Sequence, residues 1–134
     1  MLEINSSQGL FARIGRALGG MLNMNTEVRN PNIVYEGFIS GYQYHKGVQM
    51  EHLFGPDTIF SLKHEPENPF DDDAVALYYN NARIGFIPPN DNVDIARRIQ
   101  KGEPLKARLA RFEPESEPWE RVYVEVLQEE ELVN

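Results

Sequence analysis

At 134 residues the chain is long enough for one ordinary domain and too short for two comfortable ones. Its hydrophobic fraction of 41% speaks against disorder throughout, and the lack of cysteine excludes disulfides, thiolate metal sites and a cysteine nucleophile. The formal net charge of −8 weighs against a nucleic-acid partner, yet it is unevenly placed: +1 over residues 1–32, −2 over 33–112 and −7 over 113–134, so the middle keeps enough basic residues to form one face.

Residues 1–32 read as an N-terminal arm. Leu10, Phe11, Ile14, Ala17, Leu18, Met21 and Leu22 recur at helical spacing behind Ser6 and Ser7 as caps, which predicts a short amphipathic helix. Gly9, Gly15, Gly19 and Gly20 weaken it by up to about 1 kcal/mol each where they fall in its interior. Such a helix needs a partner surface, on its own domain or on a second copy, so a protein partner or self-association through the arm is one expectation. Membrane-surface binding through Arg13 and Arg16 is a weaker reading. No stretch approaches the roughly 18 apolar residues of a membrane span, and the N-terminus lacks a charged region followed by an apolar run. A soluble, cytoplasmic protein without a membrane partner is expected, and nothing calls for a cofactor.

From Ile33 the pattern changes. Ile33–Ile39, Thr58–Lys63, Ala74–Tyr79 and Arg83–Ile87 are rich in β-branched or aromatic residues and bounded by Gly, Pro, Asn or Asp, as strands are. Asn80–Asn81 suits a tight hairpin, because asparagine tolerates positive φ. Asp91 or Asn92 caps a helix over Val93–Lys101, with Val93, Ala96 and Ile95 or Ile99 on its apolar side and Gly102 ending it. Strands Leu105–Phe112 and Arg121–Leu127 follow, separated by the Pro- and Glu-rich loop Glu113–Pro118. Residues 33–127 thus read as one mainly β domain, a small OB-like or SH3-like barrel with one short helix, because the connections are too short for parallel crossovers. Periodicity does not choose between the two barrels. Residues 128–134 form an acidic tail that could compete with nucleic acid for a basic face.

Three segments together resemble the HIRAN family: Gly41-Tyr42-Gln43-Tyr44-His45-Lys46-Gly47, Leu62-Lys63-His64-Glu65-Pro66-Glu67-Asn68-Pro69-Phe70-Asp71-Asp72-Asp73-Ala74-Val75, and Arg83-Ile84-Gly85-Phe86-Ile87-Pro88. The resemblance spans roughly residues 33–112 and implies a modified OB-like barrel. The family occurs as an accessory domain on fork-remodelling helicases and as stand-alone bacterial proteins, and this chain resembles the stand-alone kind. In one eukaryotic helicase-like member the domain captures the 3′-hydroxyl end of single-stranded DNA, so the resemblance implies a non-catalytic single-stranded DNA binding module in repair or fork processing. It also implies roles. Tyr44 and Phe70 stand where aromatics stack on bases, Asp71 where a carboxylate accepts from the terminal hydroxyl, and Asn68 where an asparagine shapes the loop. Two positions depart from the pattern: Gln43 replaces an arginine that contacts phosphate, and Phe86 replaces a histidine. Phosphate grip then falls to His45, Lys46, Lys63, His64, Arg83, Arg97 or Arg98, among which Lys46 is the first choice.

Each of these residues also has a plainer reading. Asn68–Asp73 has the composition of a well-made turn, and Tyr44 and Phe70 could equally be core aromatics of a small barrel. Trp119, with Tyr123 and Val124, reads as core packing. Asp71, Asp72 and Asp73 with Glu65 and Glu67 invite an oxygen-ligand metal site of a nuclease, but in an extended strand neighbouring side chains point to opposite faces and a bend is needed for them to converge. The rival to DNA binding is a protein-interaction or scaffold domain that has kept the barrel and lost the pocket.

Overall fold

The computed structural model describes residues 32–129. The expected N-terminal helix and the far end of the acidic tail lie outside them. Six strands appear, β1 Ile33–Phe38, β2 Ile59–His64, β3 Val75–Tyr79, β4 Ala82–Phe86, β5 Leu105–Phe112 and β6 Val122–Gln128, each within one or two residues of its expected bounds. All named pairings are antiparallel, in the order β1-β6-β5-β2-β3-β4. Just beyond β1, Ser40 pairs with Phe86 at the end of β4, each amide donating to the other's carbonyl at 2.7 and 2.9 Å. That bridge brings the first and last strands of the order together, giving the small barrel-like architecture that the strand spacing predicts.

β6 shows why the sequence folds this way. Val122, Val124 and Val126 are buried while Tyr123 and Glu125 between them are not, the period-two pattern of a strand with one inward face. They meet Phe60, Val75, Leu77, Ile84 and Ala107 in the core. Asn80 and Asn81, at φ 50° and 71°, form the expected two-residue hairpin turn between β3 and β4. Phe54 packs edge-on against Phe60, Tyr79 and Phe112.

The helical content differs from expectation. The helix α2, Val93–Gln100, turns Ile95 and Ala96 into the core, whereas Val93 is 40% exposed. A second helix not foreseen, the single turn α1 Gly47–Met50, sits in the long connection between β1 and β2, flanked by 3₁₀ turns at Tyr42–Tyr44 and Glu51–Leu53. One helical turn buries too few residues to leave a period in the sequence. The segment is fixed by Tyr42, fully buried, whose hydroxyl donates to Glu51 Oε2 at 2.6 Å; burial and that bond push its pKa up. Gly47 lies flat against the Tyr42 ring, where a Cβ would come within 2.1 Å of a ring carbon. Trp119 is 52% exposed on the 3₁₀ turn Pro118–Glu120, outside the alternating pattern of β6, so its expected place in the core is not found. No described helix is long and apolar enough to cross a membrane.

Candidate nucleic-acid interface

The Asn68-Pro69-Phe70-Asp71 segment lies between β2 and β3, its base closed by the amide of Glu65 donating to the carbonyl of Ala74 at 2.8 Å. Within it three turns follow one another, with amides of Asn68, Asp71 and Ala74 donating to the carbonyls of Glu65, Asn68 and Asp71. Pro69 supplies the fixed φ that the middle turn needs. Asn68 Oδ1 accepts the Phe70 amide and Asp71 Oδ1 accepts the Asp73 amide, both at 2.9 Å, so the polar side chains fold back on their own loop. The turn reading of this composition is therefore correct, and the loop it builds does something further. It leaves Phe70 94% exposed.

Asp71 is held from the other side as well. Asn92, only 2% exposed, occupies the N-cap position of α2 yet makes no side-chain cap; its Nδ2 donates instead to Asp71 Oδ2 at 2.8 Å. The capping role expected for Asn92 is thus replaced by a tie to the loop, because its buried amide meets a carboxylate there. Each Asp71 oxygen accepts one bond and, having two lone pairs, keeps capacity for another.

Asn68 Nδ2 donates to Glu65 Oε1 at 3.1 Å, and Glu65 Oε2 receives the Arg83 guanidinium. Burial works against the Glu65 charge, but the bond from Asn68 and the positive Arg83 outweigh it and hold its carboxyl below its usual range. Arg83 lies over the rings of Phe86 and Tyr78 at 5.1 and 5.9 Å. His45 packs on Phe86 with ring centroids 5.6 Å apart, and burial together with Arg83 lowers its pKa.

These residues line a groove of about 900 Å³ whose wall includes Phe70, Asp71, Asn68, Glu65, Lys63 and Asn92. A second depression of about 580 Å³ holds Tyr44, 79% exposed, and Lys46, over the Asn80–Asn81 turn. His45 and Arg83 line both. The structure therefore brings Asn68, Phe70 and Asp71 into one hollow and Tyr44 and Lys46 into its neighbour. Neither Tyr44 nor Phe70 is a core aromatic. Of the basic candidates, Arg83 is committed to Glu65 and Arg98 to Asp94 and Glu103. His64 Nε2 faces the Asp72 carbonyl at 2.9 Å and is the donor there, while Arg97 lines neither hollow. Lys46 and Lys63 make no ion pair among the described residues.

The carboxylates of Asp71, Asp72 and Asp73 do converge, with one oxygen of each inside 4.8 Å, because they sit in a turn where an extended strand would have splayed them. Sequence reasoning missed two contributors. Asn92 gives no sign beyond its cap position, and Phe86, expected only as the loss of a histidine, is the ring on which Arg83 and His45 pack.

A family model of the HIRAN domain matches residues 33–131, well over half of the chain. The chain belongs to the HIRAN family. Its fold is similar to that of a crystal structure of a protein from Lactobacillus plantarum, with a TM-score of 0.59 at 17% identity over 72% of this chain and 95% of that one. It is also similar to the HIRAN domain of human HLTF, with a TM-score of 0.55 at 16% identity over 72% of this chain and 76% of that one. No curated protein matches the sequence. The loop of three turns, the Ser40–Phe86 bridge and the two hollows all lie within the matched residues of this chain.

Proposed function

We propose that this HIRAN chain is a non-catalytic module that captures the 3′-hydroxyl end of a single DNA strand in repair or replication-fork processing. HIRAN domains are known as DNA-binding modules in proteins like HLTF and are generally binding modules, not enzymes. The observation that carries the finer reading is Phe70, 94% exposed at the tip of a self-bonded loop, beside an Asp71 carboxylate held from two sides at the groove wall. A ring in that position offers a face to any base, worth about 1–3 kcal/mol per stacked base. Asp71 accepts the terminal hydroxyl through its remaining lone pairs, and its charge repels a terminal phosphate. Asn68 shapes the loop, Tyr44 gives a second stacking face and Lys46 a cation for the backbone.

The test is fluorescence anisotropy of a short labelled strand ending in 3′-hydroxyl, against the same strand ending in 3′-phosphate, with wild type and Asp71→Asn. Asparagine keeps one acceptor oxygen for the loop and removes the charge, so a fold change read by circular dichroism separates structural damage from lost recognition. Preference for the hydroxyl end that weakens in Asp71→Asn supports end capture.

One observation favours the rival reading, a protein-interaction domain. Glu65, Glu67 and Asp71 all line the groove and Glu65 neutralises Arg83, which leaves the hollow with little positive charge for phosphate. Failure of every strand to bind at low salt would decide for that reading.

A further inference from the structure

The two hollows share His45 and Arg83 but differ in charge. The groove beside Phe70 has three carboxylates on its wall, Glu65, Glu67 and Asp71, while the depression around Tyr44 has none. In their place it has the Lys46 ammonium, the Gln49 amide and, across from them, the two amides of the β3–β4 turn, Asn80 and Asn81, all exposed. A phosphodiester leaving the groove therefore finds a cation without a competing carboxylate on this side, and amide N–H groups able to donate to its oxygens.

We infer that the depression over the β3–β4 turn is a subsite for the nucleotide that precedes the captured end, with Gln49, Asn80 and Asn81 donating to its phosphodiester or base edge and Lys46 supplying the charge. This rests on the end-capture reading and gives the strand a direction. Its terminal nucleoside lies by Phe70 and Asp71, and the chain runs back over His45 and Arg83 toward the hairpin turn. Placement of the subsite on a turn has a physical basis. Asn80 and Asn81 are held in the left-handed region by the hairpin itself, so their backbones are already ordered and their amides project from a rigid support.

The substitutions that probe it are chosen to leave the fold alone. Asn80→Gly and Asn81→Gly keep the positive φ of the turn while removing both amides, Gln49→Ala lies on an exposed helical position, and Lys46→Gln keeps the backbone amide that donates to the Arg83 carbonyl. Anisotropy titrations use 3′-hydroxyl oligothymidylates from the dinucleotide to the octanucleotide. Wild-type affinity is expected to rise over the first few nucleotides and then level off. The combined Gln49→Ala, Asn80→Gly, Asn81→Gly variant is expected to lose about tenfold on the longer strands and little on the shortest. Lys46→Gln is expected to reduce the salt dependence of the longer strands by about 0.7 in the log–log slope, the share of one phosphate on a single strand. Strands that bind wild type and these variants alike at every length would overturn the subsite and leave end capture standing. Absence of binding at any length would overturn both.

Discussion

The Asn92 side-chain amide donates to Asp71 Oδ2 at 2.8 Å, joining the first residue before α2 to the tip of the β2–β3 loop, 21 positions away in sequence. Asn92 is 2% exposed and does not cap its own helix, so the bond is made at the expense of a local one that this residue type ordinarily prefers. Its effect is to fix the Asp71 carboxylate from outside a loop whose other bonds are to itself and to the adjoining end of β2.

Asn92→Ala is therefore expected to lower stability by about 1–3 kcal/mol, the range for removing one partner of a buried polar pair, and to weaken recognition of a 3′-hydroxyl end even though Asn92 need not touch DNA. Asn92→Asp is expected to be worse, since it sets a second carboxylate against Asp71. Urea denaturation read beside anisotropy checks both. A stable Asn92→Ala protein with undiminished preference for the hydroxyl end would show that Asp71 needs no second support.

Phe70→Ala and Tyr44→Ala are expected to do the reverse, leaving stability within about 0.5 kcal/mol of wild type because the rings bury little surface, while each costs about 1–3 kcal/mol of single-strand affinity. Unchanged affinity in both variants, measured by anisotropy, would remove the stacking role.

Glycines of the family-like segments make a different prediction, because they serve the fold. A Cβ on Gly85 would come within 2.7 Å of the Ser40 carbonyl oxygen, at the bridge that brings β1 and β4 together, and one on Gly47 would press into the Tyr42 ring. Gly85→Ala and Gly47→Ala are each expected to lower stability by about 1–3 kcal/mol through overpacking. The measurement is the denaturant midpoint at unchanged m-value, and no shift in either variant would contradict the close approach.

The contrast between these residues shows what could be read from sequence. The strands were legible because β-branched runs bounded by turn residues depend on neighbours in the chain, and the Asn80–Asn81 hairpin because positive φ selects few residue types. The role of Gly85 was not, since its reason is a carbonyl 45 positions earlier. Sequence does not divide Phe70 and Tyr44 between core and surface, because an aromatic residue carries the same local signal in either place; the fold leaves them 94% and 79% exposed. Trp119, read as core packing yet 52% exposed, differs from expectation for the same cause. Asn92 looked like a cap because local bonding is the default for asparagine, and a long-range partner leaves no local trace.

Acidification tests the charged centre of the site. Burial and the neighbouring Arg83 lower the His45 pKa from its ordinary 6.5, with Glu65 opposing them, so the unfolded chain takes up a proton that the folded one resists, and stability falls as pH drops below 6.5 toward the folded value. Glu65 adds a second loss. Its folded pKa is held below the ordinary 4.5, so the stability it contributes is present above 4.5 and disappears as pH falls through the folded value. Denaturation measured from neutral pH downward is expected to show both steps, the first absent in His45→Gln and the second reduced in Glu65→Gln. DNA affinity is expected to move the other way over the first step. A phosphodiester near the His45 ring favours the imidazolium, so binding takes up a proton and tightens as pH falls toward the His45 pKa, although the protein is by then less stable. His45→Gln is expected to abolish that rise. If affinity stayed flat through this range in wild type, no phosphate would lie near the ring that the two hollows share.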